Sequence, residues 1–158
     1  MEKIASFTID HNRLAPGLYV SRLDRAGDVT LTTFDLRFTA PNREPVLDQA
    51  ALHTIEHLGA TLLRNDAGWS DRVVYFGPMG CRTGFYLILV GELTSTDALP
   101  LVKQVMDGIA AYDGPVPGAD AGECGNYLNH DLAMAKFYAR AYSRVLASAD
   151  NTNLNYPE

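Results

Sequence analysis

The sequence is poor in cysteine and in basic residues, and it contains no long apolar run. Only Cys81 and Cys124 occur, too few for a disulfide-stapled scaffold, so in a reducing compartment each is a candidate metal ligand or reactive thiol. Thirteen Lys plus Arg stand against nineteen Asp plus Glu, a formal charge of −6. No segment collects enough positive charge to neutralise a phosphate backbone, which argues against a nucleic-acid partner. The most apolar stretches, 85–91 and 99–111, either fall short of the roughly 20 residues a membrane span needs or are interrupted by Lys103, Gln104 and Asp107, so no membrane partner is expected. The first ten residues carry one Lys3 and no apolar block before a small-residue cleavage site; they do not read as a signal peptide, and the cytoplasm is the expected location. A glycine-rich phosphate loop, a dinucleotide fingerprint and a G-x-S-x-G elbow are all missing. Nucleotide-dependent transfer and serine hydrolysis therefore leave the list of candidate chemistries.

What is present suits one ordinary domain. The chain has 158 residues, 47% hydrophobic and 20% charged, which is enough apolar mass for a core, and no repeat or linker divides it, so 1–158 is expected to be a single domain. Residues 28–38 alternate apolar and polar side chains up to Pro41 and predict a strand. From Pro45 to Arg64 the period becomes helical, with Asn42 as a possible cap and Asn65 closing the helix. Residues 72–76 and 85–92 are rich in Val, Tyr, Phe and Ile and predict two antiparallel strands around a Gly-Pro-Met-Gly-Cys turn. An amphipathic helix is expected over 96–112, begun by Thr96 or Asp97, and an Ala-rich one over 129–148. Strands and helices segregate, so the fold class is α+β, an antiparallel sheet with helices packed on it.

The most informative residues are His53-Thr54-Ile55-Glu56-His57, an H-x-x-E-H pattern inside the first helix. Histidines at i and i+4 lie one above the other on a helix, with Glu56 beside them. Leu47, Ala51, Ile55, Leu58 and Leu62 form the apolar stripe of this helix, and both histidines point well away from it. Their side also carries Val46, Ala60 and Leu63, so it is no fully solvated surface. Imidazoles facing a semi-apolar space suit metal ligation better than structural histidines, because neutral imidazole is the commonest metal ligand.

A divalent ion needs at least a third protein ligand, and Cys124, His130, Glu123 and Cys81 are candidates. Cys124 lies in Gly-Glu-Cys-Gly, where the glycines let the backbone approach closely, and it is the best of them. His130 reads equally as a ligand or as a polar capping residue. A His₂Cys set would leave a coordination position open to water or substrate, as catalytic sites do. Cys81 stands in a glycine-punctuated turn beside Arg82, whose charge would favour thiolate; a small buried hydrophobe is the other reading. Ser6, His11 and Arg37 could contact a substrate, though nothing local singles them out.

Ser6-Phe7, Asp10-His11, Phe34-Asp35-Leu36-Arg37-Phe38, Pro41-Asn42, His53-Thr54-Ile55-Glu56-His57-Leu58, Pro78-Met79-Gly80-Cys81-Arg82-Thr83-Gly84 and Cys124-Gly125 follow one another in a specific order. In that order and spacing the chain resembles the S-ribosylhomocysteine lyase (LuxS) family over nearly its whole length. The resemblance implies a cytoplasmic homodimer with two equivalent sites at the subunit interface. Each site would hold one divalent metal, iron(II) in the cell and replaceable by zinc or cobalt. It further implies His53, His57 and Cys124 as metal ligands and Cys81 and Glu56 as the proton-transfer pair. Ser6, His11 and Arg37 would bind substrate, the first two reaching across the interface. The implied reaction cleaves S-ribosylhomocysteine to homocysteine and 4,5-dihydroxy-2,3-pentanedione, the precursor of autoinducer-2.

The chain departs from the family pattern at Tyr75 and Gly77, where many members carry an acidic residue and a serine. Tyr75 is therefore expected to alter substrate affinity more than chemistry. Two other readings share the motif. An inverted-zincin peptidase also carries H-x-x-E-H, but with an acidic third ligand and a peptide cleft that 158 residues scarcely accommodate. A non-catalytic metal-binding module would have no use for Cys81 and Glu56.

Overall fold

The computed structural model describes Glu2, Ile4 and residues 7–157, so the expected role of Ser6 falls outside the described residues. Two strands, β1 (Gly17–Ala26) and β2 (Val29–Arg37), form a hairpin closed by Gly27 and Asp28. Gly27 takes a φ of 61°, the left-handed conformation that two-residue hairpin turns demand and glycine supplies without strain. β3 (Val73–Pro78) and β4 (Gly84–Val90) form a second hairpin whose β4 pairs with β2, giving one antiparallel sheet in the order β1-β2-β4-β3. Helices α1 (Gln49–Arg64), α2 (Ser95–Ala111) and α3 (Leu132–Ala147) share one core with the sheet; α4 (Asn151–Leu154) is a single turn near the C-terminus. The architecture is α+β, as the segregation of strand and helix patterns predicts. Phe34, Leu36, Phe85 and Leu87 from the sheet meet Ile55 and Leu58 from α1 in that core, all at 1% exposure or less. Burial of this kind stabilises by about 1.5–3 kcal/mol per large side chain.

Element boundaries differ from expectation for identifiable reasons. α1 begins at Gln49, not Pro45, and its cap is Asp48, whose carboxylate accepts from the Ala50 and Ala51 N–H groups. Asn42 instead occupies a turn with φ 61°, and the Leu47 N–H is drawn to Arg82 O in the β3–β4 turn (2.9 Å). α2 starts at Ser95 because Thr94 and Asp97 form a reciprocal capping box one residue before the expected start. α3 starts at Leu132 behind the cap Asp131, three residues later than expected, since Asn129 and His130 are engaged with α1. β1 was not expected: its outer half is exposed on both faces and so carries no alternation for a pattern to show.

The fold positions the site through two long-range attachments. Arg64 at the end of α1 donates to Val73 O and Val74 O, fixing the helix along β3. The irregular segment 112–131 crosses the opposite side of α1 from the sheet-facing stripe, where His53 and His57 project. A connection of that length without secondary structure is uncommon unless it carries function.

Candidate metal centre

α1 supplies two imidazoles, and segment 112–131 sets their tautomers. His53 Nδ1 lies 2.9 Å from Asn129 O and His57 Nδ1 lies 2.7 Å from Pro117 O. A carbonyl can only accept, so both Nδ1 atoms carry a proton, which in a neutral imidazole leaves the Nε2 lone pair for a cation. Close approach at His57 depends on Gly118, whose φ of 69° and missing Cβ leave room for the imidazole. Cys124 joins the pair with its sulfur 3.5 Å from His53 Nε2, while Asn126 N–H donates to that sulfur (3.4 Å).

His130 completes the group. Its ring stacks on His53 with centroids 4.2 Å apart and meets His57 edge-on at 4.8 Å. Thr54, inside the H-x-x-E-H motif and fully buried, spends its hydroxyl proton on Ala50 O (2.9 Å). The same oxygen accepts from Asp131 N–H (3.0 Å) and lies 3.1 Å from His130 Nδ1, which must therefore be the donor there. His130 Nε2 is left as a buried acceptor with no hydrogen-bond partner among the described residues. Burial, followed by the neighbouring His53 and His57, lowers the pKa of His130 below the usual histidine range. Three imidazoles and one cysteine sulfur offer donor atoms all within 4.8 Å of one another. Nitrogen and sulfur donors converging in this way, with one buried lone pair unused, fit a borderline-soft divalent ion. Of the third-ligand candidates, the fold brings Cys124 and His130 to the histidine pair; Glu123 and Cys81 are not in the group.

A second cluster gathers around Cys81, which is exposed in the β3–β4 turn. Asp35 and Arg37, two apart on β2, are only 1% and 3% exposed and form a two-pronged ion pair, Nε to Oδ1 at 3.1 Å and the Nη2 atom to Oδ2 at 2.6 Å. The Nη1 atom of Arg37 donates to Thr83 Oγ1 (2.5 Å) and lies 4.0 Å from Cys81 Sγ. Thr83 Oγ1 lies 3.1 Å from Cys81 Sγ, where its hydroxyl donates once the sulfur is a thiolate, which can only accept. Burial raises the pKa of Cys81, but the hydrogen bonds from Thr83 and the charge of Arg37 outweigh it, so the thiol ionises below its usual range. Arg37, read from the sequence as a substrate contact, has its guanidinium turned to Asp35, Thr83 and Cys81.

His11 lines the same cleft as Cys81, a space of about 380 Å³ that also includes Asn42, Glu44 and Thr83. None of the four clustered donors lines it. Glu56 is half-buried beside the histidines on α1 and forms no hydrogen bond or ion pair among the described residues, so none of their contacts couples it to Cys81 within one chain. Sequence reasoning missed Thr54, Thr83, Asp35 and the carbonyls of Pro117 and Asn129. Thr54, Asp35 and Thr83 carried a signal, their places inside the quoted motifs, whereas the two carbonyls carried none. Tyr75 is 47% exposed on the edge strand β3, and its ring lies over Gly77, where a Cβ would collide with the Tyr75 hydroxyl. The two departures from the family pattern are thus one coupled change.

An α+β scaffold that converges three imidazoles and a thiol beside a separate, activated cysteine defines a metal-site protein of the enzymatic kind. Comparison with known proteins makes the class specific. The family model described as S-Ribosylhomocysteinase (LuxS) matches residues 4–153. The chain is 56% identical over 158 residues, covering all of both chains, to an S-ribosylhomocysteine lyase of Clostridium acetobutylicum and equally to one of Finegoldia magna. It is 53% identical over 157 residues to the S-ribosylhomocysteine lyase of Borreliella burgdorferi, covering 99% of this chain and 100% of the relative. The chain belongs to the S-ribosylhomocysteinase (LuxS) family.

Proposed function

We propose that the chain, as a single domain spanning 1–158, is a metal-dependent carbon–sulfur lyase. It cleaves S-ribosylhomocysteine to homocysteine and 4,5-dihydroxy-2,3-pentanedione, the precursor of the quorum-sensing signal autoinducer-2. The observation that carries this reading is the convergence of His53, His57, Cys124 and His130 in a chain so similar, end to end, to curated lyases of that name. His53, His57 and Cys124 would hold one divalent ion, iron(II) in the cell, with zinc or cobalt able to replace it. When bound, such an ion stabilises the negative charge that develops on a sugar oxygen next to the carbons losing protons.

The chain's own side chains do the rest. Moving a carbonyl along the sugar means taking a proton from one carbon beside it and returning a proton to the next. Cys81, whose thiol Thr83 and Arg37 make easier to ionise, is suited to take such a proton, and Glu56 to exchange one from the metal side. A further proton abstraction then expels the homocysteine sulfur by β-elimination. The carbonyl shift is internal, so no electrons are gained or lost overall. Ser6, His11 and Arg37 are the proposed substrate-binding positions, with Arg37 also holding the Cys81 thiolate.

In one chain Cys81 and His11 share a cleft that the metal donors do not enter. That division supports a homodimer in which one subunit brings Cys81, His11, Arg37 and Ser6 to the metal of the other. No helix among the described residues is long and apolar enough to cross a membrane, and we place the enzyme in the cytoplasm. A peptidase reading has no observation of its own here, and the donor group holds a thiol where that reading needs a carboxylate. Thiol release from S-ribosylhomocysteine is the test. We expect free thiol with metal-loaded protein and its loss after chelation, restored by iron(II) or cobalt(II); metal-loaded protein that released none would reject the lyase.

A further inference from the structure

We propose that Tyr156 is a positioning residue for Cys81, acting on it from the far end of the chain through Asp35 and Arg37. The inference rests on the proposed role of Cys81 in proton transfer. Its basis is a chain of contacts that closes between residues far apart in sequence. The Tyr156 hydroxyl donates to Asp35 Oδ2 at 2.8 Å. That same oxygen accepts from the Nη2 atom of Arg37 at 2.6 Å, the Nη1 atom donates to Thr83 Oγ1, and Thr83 Oγ1 lies 3.1 Å from Cys81 Sγ, to whose thiolate it can donate.

The tail is held so that this contact is made. Ser95 Oγ donates to Leu154 O (2.9 Å), and the Tyr156 ring stacks on Tyr19 with centroids 4.8 Å apart and planes 13° from parallel. Tyr19 stands opposite Asp35 in the β1–β2 register, so the ring that carries Tyr156 is itself placed by the sheet. Here the hydroxyl shares one carboxylate oxygen with the guanidinium in a site nearly free of solvent, where hydrogen bonds are strong and each donor alters the next.

The direction of the effect follows from electrostatics. Removing the hydroxyl leaves Asp35 Oδ2 with Arg37 as its one remaining side-chain donor among the described residues. The carboxylate then presents more uncompensated charge and draws the guanidinium away from Thr83 and Cys81. Both changes disfavour thiolate, so they add. The other groups facing Cys81 stay in place: Arg82 beside it, Tyr86 on β4, and His11 and Glu44 across the cleft.

The test is the pH dependence of iodoacetamide alkylation at Cys81, read by mass spectrometry of the Cys81 peptide in metal-loaded, full-length protein. Tyr156→Phe keeps the stack and removes the hydroxyl. We expect its alkylation midpoint to rise by about half a unit, with an alkylation rate at neutral pH about threefold lower, and the acidic limb of turnover to move the same way. Tyr19→Phe, which loses a hydroxyl bonded to Ala15 O outside this chain of contacts, should leave the midpoint in place. Where Tyr156→Phe does not fold, 3-fluorotyrosine placed at position 156 strengthens the donor without changing its shape and should lower the midpoint. An unchanged midpoint in the folded variant would overturn the proposal, as would a shift of equal size in Tyr19→Phe. Alkylation reports the thiol and not turnover, so failure of the lyase reading, seen as wild-type protein without thiol release, is a separate result.

Discussion

Tyr75 and Gly77 illustrate how much a single residue depends on its neighbour. The Tyr75 ring occupies the space that any side chain at 77 would need. Gly77→Ser alone should therefore displace the ring, and because Tyr75 is 47% exposed and gives way at the far end of its side chain, the cost should be small, about 0.5 kcal/mol. Gly77→Ser combined with Tyr75→Asp should recover most of that loss. Denaturant midpoints of the two single variants and the double variant check this, and simple additivity would contradict it. At this scale the sequence was legible for the clustered histidines and opaque for their supports. His53 and His57 announce themselves by spacing, because a helix places i and i+4 together. Arg37 and Thr83 meet across 46 positions and Tyr156 and Asp35 across 121. No local pattern encodes such a meeting; it exists only once β2 and β4 are paired and the tail is docked.

At the scale of elements, α1 is the part on which the site depends, since it presents one face to the sheet and the opposite one to segment 112–131. Its contact with β3 is close at Gly59, where an added Cβ would run into the Phe76 ring in the core. Alanine there would gain about 1 kcal/mol of helix propensity. We expect the overlap to outweigh that gain, so that Gly59→Ala is less stable than wild type by about 1–2 kcal/mol. A variant of equal or greater stability in urea would show that the helix can shift without cost. The body of α1 was readable from its 3.6-residue period, but its start was not. The segment before Asp48 is held by a bond to Arg82 O, a partner in another hairpin. β1 escaped notice for a related reason: half of it is solvated, and only its pairing with β2 makes it a strand.

At the scale of the whole molecule, the metal donors and Cys81 occupy different regions of one chain, and the proposed dimer unites them. Chains carrying Cys81→Ala and chains carrying His57→Ala should each be inactive. Mixed and allowed to exchange subunits, they should regain about a quarter of wild-type activity, since half the dimers are mixed and each of these has one intact site. No recovery despite demonstrated exchange would place Cys81 and the metal donors in the same subunit's site. The α+β class was legible from segregated strand and helix patterns, whereas nothing in the chain marks which side chains of one copy face those of another.

The claim on which the rest depends is that the imidazoles of α1 and the Cys124 thiol hold a divalent cation. Metal content per chain, measured on protein purified without oxygen, tests it most directly, with Cys124→Ser and Cys81→Ala alongside the wild type. We predict about one equivalent of metal in wild type and in Cys81→Ala, and a loss of most of it in Cys124→Ser, because a neutral hydroxyl is a poor substitute for thiolate. Full occupancy in Cys124→Ser, or none in the wild type after reconstitution, would contradict the account.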